Sequence, residues 1–265
     1  MTTPTDRALA VVTGASSGIG YELAKQFAQH DFDLVIAAEN AGIAEAAREL
    51  STLGAHVTPV QADLSTVDGV RTLHETVAAS GRPVDAVAIN AGIGVGGPFA
   101  ETALEDDLRL VDLNVRSAVH LAKLVVPDMV ARRAGRILFT SSIAATQPGP
   151  FMATYNASKS FLLSFSEALR DELRDTGVTV TALMPGPTDT EFFERADITD
   201  SKLAQTKKDD PALVAEHGFE ALMSGKDHVV AGSMKNKVAA ATSKVMPERA
   251  KAAMHRKMSE PGSGE

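Results

Sequence analysis

The chain contains 265 residues, of which 44% are hydrophobic, and this length and apolar content suit one α/β domain with a substantial core. Its formal net charge of −8 argues against a nucleic-acid role, which normally requires a basic surface. There are no cysteines, and the seven histidines are scattered without ligand spacing, so disulfides and thiolate metal sites are excluded and we predict no metal site.

No apolar stretch approaches the roughly 18 residues of a membrane span. Residues Met1 to Arg7 are polar and lack a signal-peptide core. We therefore expect a soluble, cytoplasmic protein with no membrane span.

The first predicted elements are a strand, a glycine-rich turn and a helix. The apolar run Leu9 to Thr13 leads directly into Gly14 to Gly20, after which Leu23, Ala24 and Phe27 recur at helical spacing. Such a turn aims backbone amides and the positive end of a helix at an anion, typically the pyrophosphate of a dinucleotide. The spacing is not G-x-G-x-x-G, yet a plain turn would not need three glycines and two small hydroxyl residues. We assign phosphate binding to Gly14, Ser16, Ser17, Gly18, Ile19 and Gly20.

Five further apolar runs of strand length follow, and each comes after a helical pattern. Near-continuous apolar strands separated by amphipathic helices predict an α/β fold, a doubly wound parallel sheet of the Rossmann type with helices on both faces. In such sheets ligands bind beyond the carboxyl ends of the strands. The runs are Leu34 to Ala38, Val57 to Val60, Ala86 to Asn90, Arg136 to Ser141 and Val178 to Met184.

We find no internal repeat and no linker that would divide the chain. The prediction is a single domain over residues 1–258, with a substrate lid at about 187–225 and a helical extension at about 233–258. Residues Ser259 to Glu265 are predicted to be a disordered tail.

Glu39, directly after the second strand, is the residue most informative about the cofactor. An acidic side chain there accepts hydrogen bonds from the adenosine ribose hydroxyls and repels a 2′-phosphate. Ser17 precedes Gly18 and Asn40 follows Glu39, so neither turn carries the basic residue that NADP would require. The pattern favours NAD over NADP, with a solvated loop residue as the alternative interpretation of Glu39.

Tyr155 and Lys159 stand four residues apart, and a serine pair, Ser141 and Ser142, closes the strand before them. Positions i and i+4 share one face of a helix, so the lysine ammonium can approach the phenol and lower its pKa from about 10 toward the working pH of a general acid. The alternative is a chance pair on a helix surface.

Together these segments resemble the short-chain dehydrogenase/reductase family, in its short single-domain branch. Four motifs occur in family order: Thr13 to Gly20, Asn90-Ala91-Gly92, Tyr155 to Lys159, and Pro185-Gly186. One position departs from the family, which usually has a second asparagine where this chain has Ile89.

The resemblance implies an oxidoreductase that moves hydride between NAD(P) and a secondary alcohol or ketone. The implied catalytic residues are Asn114, Ser142, Tyr155 and Lys159, with Tyr155 as the acid/base, Ser142 bonding the substrate oxygen, Lys159 also bonding the nicotinamide ribose, and Asn114 supporting a water. It also implies a homodimer or homotetramer built through long helices. Further implied cofactor contacts are Asp63, Leu64, Asn90, Ala91, Gly92, Tyr155, Lys159, Pro185, Gly186, Thr188 and Thr190.

Substrate identity is expected to come from Gly94 to Phe99, Gln147 to Thr154 and the segment after Pro187. Phe151, Met152, Phe192 and Phe193 supply apolar surface there, which favours a small-molecule substrate with an apolar body.

The basic segment Lys235 to Lys257 carries Val238, Val245, Met246 and Met254, with Met258 just beyond it. We interpret this segment as a surface for partner docking, with membrane-surface binding as the alternative, because Pro247 interrupts it.

Two alternative functions remain open at this stage. An NADPH-dependent 3-oxoacyl reductase belongs to the same enzyme class, and Glu39 argues against it. A noncatalytic dinucleotide-binding sensor or scaffold could use the same fold.

Overall fold

A computed structural model describes residues 7–233, 236 and 246–264. Its centre is a seven-stranded, all-parallel sheet with the strand order β3-β2-β1-β4-β5-β6-β7. The order reverses between β1 and β4, which is the point where ligands bind in doubly wound sheets. The strands are β1 (Ala8–Thr13), β2 (Phe32–Ala38), β3 (Val57–Gln61), β4 (Ala86–Ile89), β5 (Gly135–Thr140), β6 (Val178–Met184) and β7 (His228–Val230).

The described helices cover both faces of the sheet. Alternate residues of one strand enter different cores, since Val12 packs on one face and Val11 on the other. Helices α1, α2 and α9 cover the first face, and α3, α5 and α6 cover the second. The helices are α1 (Gly18–Gln29), α2 (Ile43–Ser51), α3 (Val67–Ala79), α4 (Leu104–Val111), α5 (Ser117–Arg132), α6 (Ala153–Leu173), α7 (Phe192–Arg195), α8 (Lys202–Gln205), α9 (Pro211–Met223) and α10 (Glu248–Ser259), with a short 3-10 helix at Ile143–Thr146.

The predicted fold class is confirmed, and each of the six apolar runs contains a strand. The sequence interpretation missed β7, the last strand of the sheet, because it has three residues that are all only half-buried. A segment this short at a sheet edge carries almost no periodic signal.

A π-helical turn, Asp112–Arg116, connects α4 to α5 and carries Asn114. Turns of this type occur frequently at functional sites. Helix α5 contains Pro127 and continues past it to Arg132.

The helices within the segment predicted as a lid, 187–225, occupy different positions. Helices α7 and α8 lie over the carboxyl ends of the strands, but α9 packs against α1, where Phe219 meets Phe27 with ring centroids 5.2 Å apart. Helix α9 is therefore part of the layer that covers the sheet, and the lid stays a prediction.

The C-terminal segment also differs from the prediction. Lys235, Val238 and Val245 lie outside the described residues. Pro247 precedes α10 as its N-cap residue, and residues 260–264 form turns whose backbone bonds to Asp200, where we predicted a disordered tail. None of the described helices is long and apolar enough to cross a lipid bilayer.

Candidate active site

A cavity of about 310 Å³ lies at the carboxyl edge of the sheet, beside the point where the strand order reverses. The structure brings almost every predicted site residue to its wall; Asn114 lies behind it. The predicted residues that line the cavity are Gly14, Ser16, Ser17, Gly18, Ile19, Gly20, Glu39, Asp63, Leu64, Asn90, Ala91, Gly92, Ser142, Tyr155, Lys159, Pro185, Gly186, Thr188 and Thr190.

The glycine turn between β1 and α1 has a backbone that side chains would disrupt. Gly14 adopts a positive φ of 68°, which L-residues rarely tolerate. A Cβ on Gly20 would lie 2.0 Å from the carbonyl oxygen of Gly14. Ser17 is the N-cap residue of α1 but makes no capping bond through its side chain, so its hydroxyl and the first amides of α1 can bind an anion.

Asn40 holds the glycine turn against the end of β2. Its amide nitrogen donates to the Ser16 hydroxyl at 3.1 Å, and its Oδ1 accepts from the Gly42 backbone amide at 3.0 Å. The bond to Ser16 couples the predicted phosphate and ribose sides of the cavity, and the bond to Gly42 fixes the Asn40 side chain.

The acidic residues Glu39 and Asp63 share a cation that the sequence interpretation missed. Arg109 on α4 donates to Glu39 Oε2 and lies 3.7 Å from Asp63 Oδ2. Burial alone would raise the pKa of Asp63, but hydrogen bonds from Ser65 and the charge of Arg109 lower it below its ordinary value. Arg109 was not identifiable from the sequence because it stands 70 positions after Glu39.

Asn90 joins three neighbouring strand ends. Its Nδ2 donates to the Thr13 carbonyl at 3.1 Å, and its Oδ1 accepts from the Thr140 hydroxyl at 3.0 Å. Ile89, at the position where the family has a second asparagine, is buried in the core. Asn90 thereby fixes the floor of the cavity at the reversal point.

The two serines after β5 have different roles. Ser141 Oγ donates to the Lys159 carbonyl at 2.8 Å, which anchors α6 to the sheet. Ser142 Oγ accepts from the Ala144 amide at 3.1 Å and donates to the Pro185 carbonyl at 3.4 Å, and a hydrogen bond from its side chain acts to lower the pKa of Tyr155. Both serines line the cavity, but only Ser142 influences the pKa of Tyr155, which supports Ser142, not Ser141, as the serine that can reach a substrate oxygen there.

Tyr155 and Lys159 face the same space, with Lys159 Nζ 5.7 Å from the centre of the Tyr155 ring. Burial raises the pKa of Tyr155 to about 12, and the hydrogen bond with Ser142 opposes this shift. Burial also lowers the pKa of Lys159 to about 8. The spacing predicts a lowered pKa for Tyr155, but in this structure burial raises that pKa and outweighs the hydrogen bond with Ser142, the one contribution that lowers it.

Lys159 is held by the end of β5. Its Nζ donates to the Thr140 carbonyl at 2.8 Å, and the side chain is buried. A Cβ added to Gly92 would lie 3.2 Å from this Nζ, so the loop after β4 leaves room for the lysine.

Asn114 lies behind the cavity wall and is fully buried. Its Oδ1 accepts from the Ile93 amide and its Nδ2 donates to the Ile93 carbonyl, both at 2.9 Å, while Nδ2 also donates to the Ser158 hydroxyl at 3.0 Å. Asn114 therefore fastens the loop after β4 to the helix that carries Tyr155.

The chain after β6 closes over the glycine turn. Thr188 is buried and its hydroxyl donates to the Gly186 carbonyl at 2.9 Å. A Cβ on Gly18 would lie 3.0 Å from Thr190 Cγ2, so Thr190 packs against the start of α1.

Apolar side chains form the outer part of the cavity. Phe192 packs on Tyr155 with ring centroids 5.0 Å apart, and Met152 and Phe193 also line the wall. Of the expected substrate residues, Phe99 is 71% exposed and Phe151 packs against Arg256, and neither is among the lining residues. The sequence interpretation missed Leu203, Met254, His255 and Met258 as wall residues.

The fold and this cavity define a doubly wound α/β protein with a site at the reversal point of its sheet. A family model described as short chain dehydrogenase matches residues 8–200. The chain belongs to this family, as the four motifs indicate.

The relatives are moderately similar to this chain. It is 38% identical over 189 residues to 1-deoxy-11-beta-hydroxypentalenate dehydrogenase of Streptomyces exfoliatus, which covers 70% of this chain and 69% of that protein. It is also 34% identical to a short chain dehydrogenase of Pseudocercospora fijiensis over 186 residues. This match covers 69% of this chain and 60% of the length of that relative.

Two solved structures share the fold. A short-chain dehydrogenase from Sphingobium yanoikuyae in complex with NADPH has 28% identity and a TM-score of 0.78, over 84% of this chain and 87% of that one. A short chain dehydrogenase/reductase from Burkholderia phymatum in complex with NAD has 25% identity and a TM-score of 0.81, and the match covers 92% of this chain and 94% of that one.

Proposed function

We propose that this protein is an oxidoreductase that transfers hydride between a nicotinamide dinucleotide and a secondary alcohol or ketone with an apolar body. One observation carries the proposal: Tyr155, Ser142 and Lys159 line one cavity together with the glycine turn. These residues would supply a proton donor, a hydrogen-bond donor and an anion-binding turn in one space.

The residues present fit a dinucleotide. The backbone amides at the start of α1 and the hydroxyls of Ser16 and Ser17 suit a pyrophosphate, and Glu39 and Asp63 suit the adenosine end. Thr188 and Thr190 would hold the carboxamide end. When bound, the nicotinamide supplies or accepts the hydride.

The protein's own residues handle the proton and the developing charge. In carbonyl reduction the Tyr155 phenol donates its proton to the substrate oxygen, and in alcohol oxidation the phenolate removes it. The Ser142 hydroxyl bonds the same oxygen as charge develops. Lys159 supplies a positive charge beside the phenol, and Asn114 positions the loop after β4 and supports the water through which the proton leaves.

We further propose a preference for NAD, because Glu39 presents a carboxylate where a 2′-phosphate would bind. Arg109 is already paired with Glu39 and Asp63, so a phosphate would have to compete with two carboxylates for it. NADPH-dependent reduction of a 3-oxoacyl substrate is the second candidate, since Arg109 is a cation beside the ribose position. The ratio of kcat/KM for NADH and NADPH separates the two.

The proposal includes a homodimer or homotetramer. Leu104, Leu108 and Val111 form an exposed stripe on α4, with 65%, 54% and 39% of their surfaces exposed, and Phe161 on α6 is 38% exposed. Apolar side chains grouped in this way suit contact with a second copy of the chain.

Replacement of Tyr155 by phenylalanine tests the activity. We expect Tyr155→Phe to bind NADH normally and to lose at least about 10²-fold in kcat on a ketone panel, the usual effect of removing a general acid. The chain has two tyrosines, and Tyr21, whose hydroxyl donates to Glu49 at 2.7 Å outside the cavity, provides the matched control Tyr21→Phe.

Full turnover in Tyr155→Phe would overturn the assignment of the proton donor. Tight NADH binding by the wild-type protein without turnover on any ketone or alcohol would instead favour the noncatalytic sensor or scaffold.

A further inference from the structure

Helix α10 lies beyond the segment that the family model matches, yet it contributes to the candidate active site. The match ends at residue 200, whereas Met254, His255 and Met258 line the same cavity as Tyr155. The part of the wall formed by α10 therefore lies outside the matched segment and is not explained by the four family motifs.

One face of α10 is buried on the rest of this chain. Lys251, His255 and Ser259 recur every four residues and are each less than 8% exposed. Lys251 Nζ donates to Glu248 at 2.8 Å and to the Thr146 carbonyl at 3.3 Å. These contacts attach the helix to the segment that follows Ser142.

His255 connects α10 to the helix that carries the catalytic tyrosine. Its Nε2 lies 3.4 Å from Asn156 Nδ2, next to Tyr155, and its Nδ1 lies 2.8 Å from Ser259 Oγ. Burial lowers the pKa of His255, although a bond to the Pro150 backbone opposes this shift.

The residues after α10 bind to the lid. The Gly262 amide donates to Asp200 Oδ2 at 2.7 Å, the Gly264 amide donates to the Asp200 carbonyl at 2.8 Å, and the Lys202 amide donates to Ser263 Oγ at 3.1 Å. Helix α10 is thus attached on one side to the segment after Ser142 and on the other side to the start of α8.

The two cavity-facing methionines are suited to an apolar ligand. Met254 is 47% exposed and Met258 is half-buried, so both retain accessible surface at the cavity. A methionine side chain is flexible and polarizable, so it adapts to apolar bodies of different shape. Phe192 and Leu203 complete an apolar enclosure around the same space.

We propose that α10 is the outer wall of the substrate site and that Met254 and Met258 determine the size of the apolar group that the substrate can carry. This inference rests on the proposed function, since it concerns the substrate of the same reaction. It gives α10 a role within its own chain, because the polar face that α10 buries packs against that chain; the interpretation of Lys235 to Lys257 as a docking surface for a partner stays a prediction.

The test compares ketones whose apolar group increases in size, from small aliphatic to bulky alicyclic. Met258→Phe fills the space, and we expect KM to rise at least about tenfold for the largest ketones and to stay within about twofold for the smallest, as for other apolar pockets. Met254→Ala and Met258→Ala enlarge it and should shift the preference toward larger ketones. Met223→Ala, on α9 and 37% exposed, is the matched control.

A second measurement does not require turnover. Methionine oxidation by dilute peroxide, read by mass spectrometry in the presence of NADH, should be slowed at Met254 and Met258 by a bulky ketone and unchanged at Met223. If the wild-type protein turns over no ketone, the proposed function fails, but protection at Met254 and Met258 still supports α10 as a ligand wall. Unchanged size preference in all three variants, or equal oxidation with and without ketone, would overturn the inference.

Discussion

Arg109 on α4 forms an ion pair with Glu39 at the end of β2, and the same guanidinium lies 3.7 Å from Asp63. The side chains of Arg109 and Glu39 are 45% and 48% exposed, so solvent screens the pair and its contribution to stability is small. The ion pair matters for the proposed cofactor site, because it would set the charge beside the adenosine ribose, where NAD has a hydroxyl and NADP a phosphate.

Removal of Arg109 should strengthen the preference for NAD. Arg109→Ala leaves Glu39 and Asp63 without their shared cation, so we expect KM for NADPH to rise about tenfold or more and KM for NADH to change by less than about threefold. Steady-state kinetics with both cofactors measure this difference. Glu39→Gln removes the carboxylate instead of the cation and should reduce the preference for NADH over NADPH. A lower KM for NADPH in Arg109→Ala than in the wild-type protein would contradict the proposed role of Arg109 at the cofactor site.

The pKa of Lys159 predicts how carbonyl reduction depends on pH. Its folded-state pKa is lowered to about 8, so the ammonium is present below this pH and is lost as pH rises through it, while the Tyr155 phenol, with a pKa of about 12, keeps its proton. We expect kcat/KM for reduction to be level from about pH 6 to about pH 7.5 and to fall above about pH 8.

Lys159→Arg is the control for this profile, because a guanidinium stays charged at every pH used. We expect the reduction rate of this variant to be lower at every pH and the decline near pH 8 to disappear. A wild-type profile that stays level to about pH 10 would show that the charge of Lys159 is not required.

The glycine turn predicts a defect confined to cofactor binding. Gly20→Ala places a Cβ 2.0 Å from the Gly14 carbonyl oxygen, so the turn must shift and NADH affinity should fall by about tenfold or more. Fluorescence titration with NADH measures the affinity, and the melting temperature shows whether the variant is folded.

Gly54→Ala is the comparison for Gly20→Ala. Gly54 has a positive φ of 86° but open space around its Cβ position, and it does not line the cavity. This variant should lose some stability and retain NADH affinity. Equal affinities in both variants would argue against pyrophosphate binding at the turn.

The exposed stripe on α4 predicts the effect of a charge on assembly. Leu108→Glu introduces a carboxylate among Leu104, Val111 and Phe161, so we expect a dimer or tetramer to dissociate toward monomers. Light scattering after size-exclusion chromatography measures the mass. Leu53→Glu is the control, since Leu53 is 38% exposed and follows α2, and this variant should leave the mass unchanged. Dissociation in both variants would contradict the proposal that α4 forms the contact between subunits.

The sequence by itself determined the features that depend on local chain geometry. Apolar runs of strand length identified β1 to β6, since a strand buried on both faces must be apolar throughout. Gly14 to Gly20 identified the turn, because its backbone excludes side chains. The four-residue spacing of Tyr155 and Lys159 placed both on one helix face.

Only the tertiary structure decided which distant residues meet and how burial changes their chemistry. Arg109 reaches Glu39, and α10 encloses the cavity, through packing between elements far apart in the chain, which leaves no periodic signal. The meeting of Ser142 and Tyr155 in one cavity likewise required the positions of β5 and α6. The spacing of Tyr155 and Lys159 predicted a lowered tyrosine pKa, but burial raised it, because desolvation depends on the whole surrounding structure.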